Sequence, residues 1–353
     1  MICLNYSRLR SHHGNDLMRI NVIGQANGVG LTRDMKLLAE ALRQCGCYVD
    51  LTAIDSHQSK QRRSRIKQFG LQWRRARRSM GYSGTLPPHY DFNIMLEHIW
   101  SQHLESAHRN IVVPNPEWFD RHDVRFLPCV NRVWAKTHNT QQIFARLGCE
   151  VSQIGFDSED RNDSTVPRER VFLHLAGKST MKGTARLIQC WRMQPQWPTL
   201  VVVQHDDQVP NNLSVHSNIE MHTEYLDDAA LKRLQNRCLF HLCTSETEGW
   251  GHYLVEAMSV GAITITLNAP PMNELVTVER GLLLAHKQTG RQKLADLYFF
   301  DEMALARVVQ QTLTMSVEEV ATLATQARRW FLKNKAGFSE RIKLALGELH
   351  AQA

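Results

Sequence analysis

The chain has 353 residues, more than one ordinary hydrophobic core holds and enough for two domains of roughly 150 residues each. Hydrophobic residues make up 43% and charged residues 22%, a globular composition that excludes a disordered or fibrous protein. No apolar run approaches the roughly 18 residues of a transmembrane helix, and the opening segment lacks the apolar core of a signal peptide. These features predict a soluble or peripheral protein.

The eight cysteines are scattered along the chain, without paired C-x-x-C zinc motifs or dense disulfide spacing. We therefore expect reduced, mostly buried thiols and a cytoplasmic location.

Short apolar segments alternate with helical ones in the first half of the chain. Residues 19–24 predict a strand, and the periodic residues 31–42 predict the helix that follows a glycine-bearing turn. Further strands are predicted at residues 48–54, 92–96, 110–114, 132–135 and 151–155. Alternation of this kind predicts a parallel sheet with helices on both faces.

A basic segment interrupts this half. Residues 56–90 contain nine lysines and arginines and no acid, so they account for more than the whole net charge of +7. Within residues 60–80, an apolar stripe at helical spacing lies among the arginines: Ile66, Phe69, Trp73, Ala76 and Met80. Such a helix could lie on an anionic membrane, pack on the first domain with a solvated basic face, or contact nucleic-acid phosphates.

The strand and helix pattern restarts after a polar linker at residues 157–170. Strands are predicted at residues 171–176, 199–204, 238–243, 262–267 and 281–285, and the chain after Phe300 is helical. We expect domains at residues 1–165 and 166–335. The remaining residues, 336–353, form a terminal helix that could return to the first domain.

The most informative motif lies after the predicted strand 238–243. Glu248 and Glu256 are separated by seven residues, and Gly249 and Gly251 follow the first glutamate. Glycines at this place let backbone amides approach a ligand, and the helix that starts there directs its positive end at an anion. Glu256, about two turns into that helix, could accept hydrogen bonds from a ribose.

This motif resembles the E-x7-E signature of retaining glycosyltransferases of family 4. The resemblance implies an α/β GT-B fold, in which two Rossmann-like domains with parallel sheets face a cleft, with C-terminal helices. It also implies that Glu248, with the amides of Gly249, Trp250 and Gly251, binds the donor sugar, and that Glu256 binds the ribose. The alternative is an ordinary surface helix with two acids.

A later acid, Glu274, fits the family's weaker position at the end of the donor site. A carboxylate that complements a helix dipole is an equal alternative for this residue.

A second motif follows the first strand of the second half, in the sequence LAGKSTMKGT. Lys178 and Lys182 match the basic residue and the lysine-glycine pair that the family places on the donor diphosphate. Positive charge there would stabilise the departing nucleotide. The motif resembles a P-loop only superficially, because the glycine expected five residues earlier is missing.

Two weaker signals lie in the first half. Gly28 and Gly30 form a glycine loop after the first strand that could approach the donor, or could be a tight structural turn.

His98 lies beyond a predicted strand end, where parallel sheets place ligands, and the family often has a sugar-contacting histidine at this stage. A structural histidine is the alternative. Other plausible cleft residues are Glu97, His103, Lys136 and the turn at 158–160.

The resemblance implies that main-chain groups near Tyr225 and Leu226 read the nucleotide base. The sequence contains no credible metal-binding D-x-D motif, so we expect no metal and no cofactor besides the nucleotide-sugar substrate. The catalytic residues are expected to be Glu248, Lys182 and His98, in an enzyme that transfers a hexosyl or pentosyl group.

The acceptor is expected to be a lipid-linked or envelope glycan, bound by a cytoplasmic protein attached peripherally to the inner face of the cytoplasmic membrane. Two alternatives stay open: transfer to a modified base of a nucleic acid, and a non-catalytic GT-B protein that binds glycans or nucleic acid.

Overall fold

The computed structural model describes residues 17–26, 30–54, 88–205 and 217–350. The basic segment at 60–80 and Gly28 lie outside these residues. Two six-stranded sheets organise the chain. We call the part built on β1–β6 the first lobe and the part built on β7–β14 the second lobe.

The first sheet has the strand order β2-β1-β3-β4-β5-β6, and its neighbouring strands are parallel. Its central strands β3 and β4 carry runs of buried apolar residues because helices cover both faces of a parallel sheet. The strands are β1 (Arg19–Gln25), β2 (Tyr48–Ile54), β3 (Tyr90–Glu97), β4 (Ala107–Pro114), β5 (Arg132–Ala135) and β6 (Val151–Gln153). The helices are α1 (Gly30–Gln44), α2 (Arg121–Phe126) and α3 (His138–Arg146), with 3-10 turns at Ser101–His103 and Leu127–Cys129.

The second sheet has the strand order β12-β11-β10-β7-β8-β9 and is also parallel. Strands β10 and β11 are buried along their whole length, as expected at the centre of a doubly covered sheet. The strands are β7 (Glu169–Gly177), β8 (Leu200–Gln204), β9 (Ile219–His222), β10 (Cys238–Cys243), β11 (Ile263–Leu267) and β12 (Gly281–Leu284). The helices are α4 (Thr184–Arg192), α5 (Asp228–Arg237), α6 (His252–Ser259), α7 (Met272–Leu275), α8 (Glu302–Thr314), α9 (Val317–Ala336) and α10 (Phe338–His350).

An antiparallel hairpin that the sequence did not predict follows β12. It comprises β13 (His286–Gln292) and β14 (Ala295–Phe300), and it belongs to neither large sheet. At its tip, the amide of Leu294 donates to the carbonyl of Pro116 at 3.1 Å, and the Leu294 side chain packs against the core of the first lobe. The hairpin therefore connects the lobes beside the ends of their strands.

The terminal helix α10 packs on the first lobe. It contacts α1 and β6, the Cys45 thiol donates to the Ser339 carbonyl at 3.2 Å, and the Arg109 guanidinium donates to the Leu349 carbonyl. One continuous cluster of buried apolar side chains runs from the first sheet to the second through this region. The lobes are thus joined by packing as well as by the chain.

Two further observations concern membrane-spanning helices and the cysteines. Among the described residues, no helix combines the length and the apolar character needed to cross a membrane. The seven cysteines within this part of the chain are free thiols, and four of them are buried.

Candidate active site

The strands of both sheets end at the boundary between the lobes. Glu97 ends β3, Asn115 follows β4 and Lys136 follows β5, whereas the loop from Thr244 to Gly251 follows β10 of the second sheet. Ligands of open parallel sheets bind beyond the carboxyl ends of the strands. The motif residues that the sequence singled out lie on these loops or on the helices that follow them.

Lys182 and Glu248, predicted from separate motifs, form an ion pair in the second lobe. The Lys182 ammonium nitrogen lies 3.6 Å from the centroid of the Tyr253 ring, and the Ser245 hydroxyl donates to the Glu248 carboxylate. The Ser245 and Tyr253 hydroxyls also share a hydrogen bond, and burial raises the pKa of Tyr253 well above its usual value. Opposite charges are therefore held together beside a neutral hydroxyl pair.

Two glycines let the backbone turn into the helices at this site. Gly183 precedes α4 with φ of 68°, and Gly251 precedes α6 with φ of 78°, a left-handed conformation that disfavours other residues. A Cβ atom on Gly251 would also lie 2.4 Å from Cδ1 of Leu254. Because α6 begins only after this glycine, Glu256 lies in its second turn, slightly nearer the helix start than the predicted two turns.

Gly249 has a different role, which the sequence did not indicate. A Cβ atom at this position would lie 2.3 Å from Oδ1 of Asn115 in the first lobe. The missing side chain therefore allows the Glu248 loop to touch the loop after β4.

Glu256 is buried and has two partners. Its carboxylate pairs with Arg33 of α1 and accepts a hydrogen bond from Nε2 of Gln235 at 2.9 Å. Sequence reasoning did not single out Arg33, whose partner lies 223 positions away. The predicted ribose carboxylate is thus also a contact between the lobes.

A buried polar network centred on Asp34 also crosses the boundary. Oxygens of Asp34 lie 2.6 Å from the ammonium nitrogen of Lys136 and 2.5 Å from Nε2 of His252. Nδ1 of His252 lies 2.8 Å from the Ser158 hydroxyl, which accepts from the Trp250 indole at 3.1 Å. Burial by itself would raise the pKa of Asp34, but Lys136 and His252 together lower it below its usual range. Asp34 therefore stays ionised and joins the lobes.

His98 is held at the end of β3 by two carboxylates. Its Nδ1 lies 2.9 Å from Asp123, and its Nε2 lies 3.6 Å from Glu97. Glu97 has the unusual φ of 65°, and burial raises its pKa. Asp123 fixes the imidazole orientation and leaves the other ring nitrogen on the Glu97 side.

Glu117, which sequence reasoning missed, is buried in the loop after β4. Burial, followed by the carboxylates of Glu248 and Glu97, raises its pKa to about 8. Its Oε2 atom has no hydrogen-bond partner among the described residues. The available signal was its position just beyond a central buried strand, where parallel sheets place ligand-binding groups.

Comparison with known proteins identifies the part of the chain that carries the glutamate motif. The model of the family described as glycosyl transferases group 1 matches residues 156–297. The chain is similar to that family over these residues. They include Lys178, Lys182, Glu248 and Glu256, so the resemblance inferred from these motifs is confirmed.

Solved structures extend the likeness over both lobes of the chain. HepE of Anabaena, in complex with UDP and glucose, is 16% identical, with a TM-score of 0.65 over 94% of this chain and 100% of that one. A glycosyltransferase from Rickettsia africae is 13% identical, with a TM-score of 0.66 over 96% and 98% of the two chains. Sucrose-phosphate synthase from Thermosynechococcus elongatus is 14% identical, with a TM-score of 0.65 over 95% and 98%. No curated protein sequence matches the chain significantly.

At these identities the likeness concerns the fold. It confirms the predicted GT-B architecture of two parallel Rossmann-like sheets and C-terminal helices.

The residues predicted to read the nucleotide base line a separate part of the boundary between the lobes. A cavity of about 680 Å³ lies between α1 and the loop before α5, and Arg33, Lys36, Tyr225 and Leu226 are among its lining residues. The Tyr225 side chain is 91% exposed. Gly30 begins α1, and a Cβ atom on it would meet nothing within 4 Å, so close packing does not require glycine there.

Lys178 is exposed and follows Gly177, whose φ is 57°. Unlike Lys182, it lies on the surface beyond the end of β7. Within the described ranges, the chain has no group of three or more His, Cys, Asp or Glu side chains arranged to hold a metal ion.

Glu274 of the second lobe contacts the first lobe. Its carboxylate accepts from the backbone amides of His138 at 2.6 Å and Asn139 at 2.8 Å, which begin α3 of the first lobe. A negative charge there complements the helix dipole. The contact resembles the alternative given for Glu274 in the sequence analysis, a carboxylate that complements a helix dipole, except that the helix belongs to the first lobe.

Proposed function

We propose that the chain is a retaining glycosyltransferase that takes a sugar from a nucleotide-diphosphate sugar bound between the two lobes. The observation that carries this proposal is the Lys182–Glu248 ion pair, with the N-termini of α4 and α6 beside it. In this proposal residues 1–165 form the acceptor-side domain, residues 166–335 form the donor domain and residues 336–353 form a C-terminal segment that includes α10.

The donor contacts follow from charge and position. Lys182 and the surface Lys178 would bind the diphosphate, with the positive end of α4 adding to their attraction. Glu248 would accept from sugar hydroxyls, near the amides of Gly249, Trp250 and Gly251. Donor binding would replace the ion pair of Lys182 and Glu248 by contacts to phosphate and hydroxyl groups.

The nucleoside would extend toward the cavity beside α1. Glu256 would accept from the ribose hydroxyls, and main-chain groups near Tyr225 and Leu226 would contact the base. Because Arg33 already pairs with Glu256, it would lie next to the bound nucleoside. Gly30, and Gly28 outside the described residues, would let the start of α1 approach the donor, and Glu274 would support the end of the site.

Transfer with retention is proposed to occur by attack on the same face from which the nucleotide departs. The bond from the anomeric carbon to the phosphate oxygen breaks, and that oxygen helps to take the proton of the acceptor hydroxyl. Lys182 and the helix N-termini stabilise the negative charge on the departing diphosphate, so this proposal requires no metal. His98 would contact the sugar from the first lobe, and no side chain acts as a nucleophile.

The first donors to test are uridine nucleotides, because HepE was solved with UDP and glucose. Isothermal titration would compare UDP, GDP, ADP and their glucose conjugates, in buffer with EDTA and then with Mg²⁺. We expect one diphosphate to bind without Mg²⁺.

Variants test the assigned site. Lys182→Ala should weaken diphosphate binding at least tenfold, and Glu248→Ala should mainly abolish sugar transfer or donor hydrolysis. The matched controls are Lys343→Ala and Glu318→Ala, both at exposed positions. Normal diphosphate binding by folded Lys182→Ala would refute the phosphate assignment, and failure of the wild type to bind any nucleotide of the panel would refute the function.

We propose that the acceptor is a lipid-linked or envelope glycan presented at the inner face of the cytoplasmic membrane. The support is the sequence of residues 60–80, with its arginines and apolar stripe. Flotation with vesicles containing anionic lipid should depend on Trp73. Absence of flotation together with a salt-sensitive shift of duplex DNA would instead favour a nucleic-acid acceptor.

A further inference from the structure

Glu117 lies where the two lobes touch. In the same loop, Asn115 lies against Gly249, and the Pro116 carbonyl accepts from the amide of Leu294 at the hairpin tip. The backbone on the N-terminal side of Glu117 is therefore held by two segments of the second lobe. This fixes the position of its carboxyl group relative to the Glu248 loop.

Two of the three charged groups that act on this carboxyl are themselves carboxylates. The charged groups that act on it are Glu248 from the loop after β10, Glu97 from the end of β3 and Lys136 from the segment after β5. The residue is 5% exposed, and Oε2 has no hydrogen-bond partner among the described residues. A buried polar atom without a partner costs free energy, so its retention needs a reason.

The electrostatics favour a neutral acid at this position. Burial and the nearby carboxylates raise the pKa of Glu117 to about 8, so that near neutral pH the group carries a proton that it can donate. The carboxylate of Glu248, which pairs with Lys182, can only accept hydrogen bonds. A sugar hydroxyl both donates and accepts, and it can therefore join a donor group to an acceptor group.

We propose that Glu117 is a sugar-positioning residue whose carboxyl group donates a hydrogen bond to a hydroxyl of the donor sugar that Glu248 holds. The inference rests on the proposed function and adds to it a contact from the first lobe. Such a contact would make binding of the sugar, and not of the nucleotide, depend on closure of the lobes around residues 115–117.

The test compares sugar nucleotide with nucleoside diphosphate. Affinities of wild type, Glu117→Ala, Glu117→Gln and the exposed control Glu318→Gln are measured by isothermal titration with UDP-glucose and UDP, or with the diphosphate of the panel that binds and its glucose conjugate. We expect Glu117→Ala to weaken sugar-nucleotide binding about tenfold and diphosphate binding less than twofold. Glu117→Gln retains a donor group and should stay within about threefold of wild type.

The dependence on pH gives a second readout. The ratio of the affinity for the sugar nucleotide to the affinity for the diphosphate should fall as the pH rises through about 8 in wild type. In Glu117→Gln this ratio should stay constant. Equal losses for both ligands, unchanged affinities in Glu117→Ala, or a fall that persists in Glu117→Gln would overturn the inference. In each of these results the wild type still binds the donor, whereas failure of the proposed function would show as a wild type that binds neither ligand.

Discussion

Replacing Glu117 by glutamine should stabilise the protein, by an amount that depends on pH. The pKa of this carboxyl is raised from 4.5 to about 8, mainly by burial. A tenfold change in proton affinity corresponds to about 1.4 kcal/mol. Above pH 8, ionised Glu117 therefore lowers the free energy of unfolding by on the order of 5 kcal/mol relative to a neutral residue. At pH 7 the cost relative to a neutral residue is about 3 kcal/mol.

The direction follows from the raised pKa. Below pH 4.5 the carboxyl is protonated in the folded and the unfolded chain, and substitution by a neutral amide removes no electrostatic cost. As the pH rises toward 8 the unfolded chain releases this proton and the folded chain does not, so wild type loses stability that the variant keeps. Glu117→Gln should therefore match wild type near pH 4.5 and exceed it by up to about 3 kcal/mol at pH 7.

Urea denaturation at pH 4.5, 5.5, 7 and 8.5 would measure this difference, with Glu340→Gln at an exposed position as the control. The slope of the free energy of unfolding with urea should be the same for both proteins, because the surface exposed on unfolding does not change. A stability gain that is independent of pH, or that is greatest in acid, would refute the reasoning that Glu117 is protonated in the folded state.

Three further experiments probe the loops and the contacts between the lobes. Gly251→Ala should lower the free energy of unfolding by about 2 kcal/mol because Gly251 has a positive φ. Gly30→Ala should change the unfolding temperature little, because a Cβ atom there meets nothing. Equal effects of the two substitutions would contradict the backbone argument. Arg33→Ala should cost about 2 kcal/mol in urea unfolding by leaving Glu256 without its cation, and Glu256→Gln in the same chain should recover part of it. Asp34→Asn should lower the free energy of unfolding by about 3 kcal/mol at pH 7. Because the pKa of Asp34 is lowered in the folded protein, this loss should shrink only when the pH falls below about 4. A loss of stability that grows in alkali would exclude this ion-pair network.

The strands and helices of the two sheets could be predicted because their signals are local. Strand β10 is apolar except for His241, and α1 repeats apolar residues at helical spacing. The Glu248 motif was equally readable, since Gly251 must turn the chain at the start of a helix. Strand β9 was missed because it has only four residues, and the hairpin was missed because β13 contains no apolar residue that could give a periodic signal.

The amino-acid sequence by itself determined the two-lobed α/β plan, the carboxylates at Glu248 and Glu256 and the lysine at Lys182. Only the tertiary structure decided what faces these groups, because their partners come from distant parts of the chain. Asp34 and His252 are 218 positions apart, and no periodicity relates them. Protonation of Glu117 likewise depends on burial and on charges that folding brings together, which are properties of the assembled lobes and not of any segment.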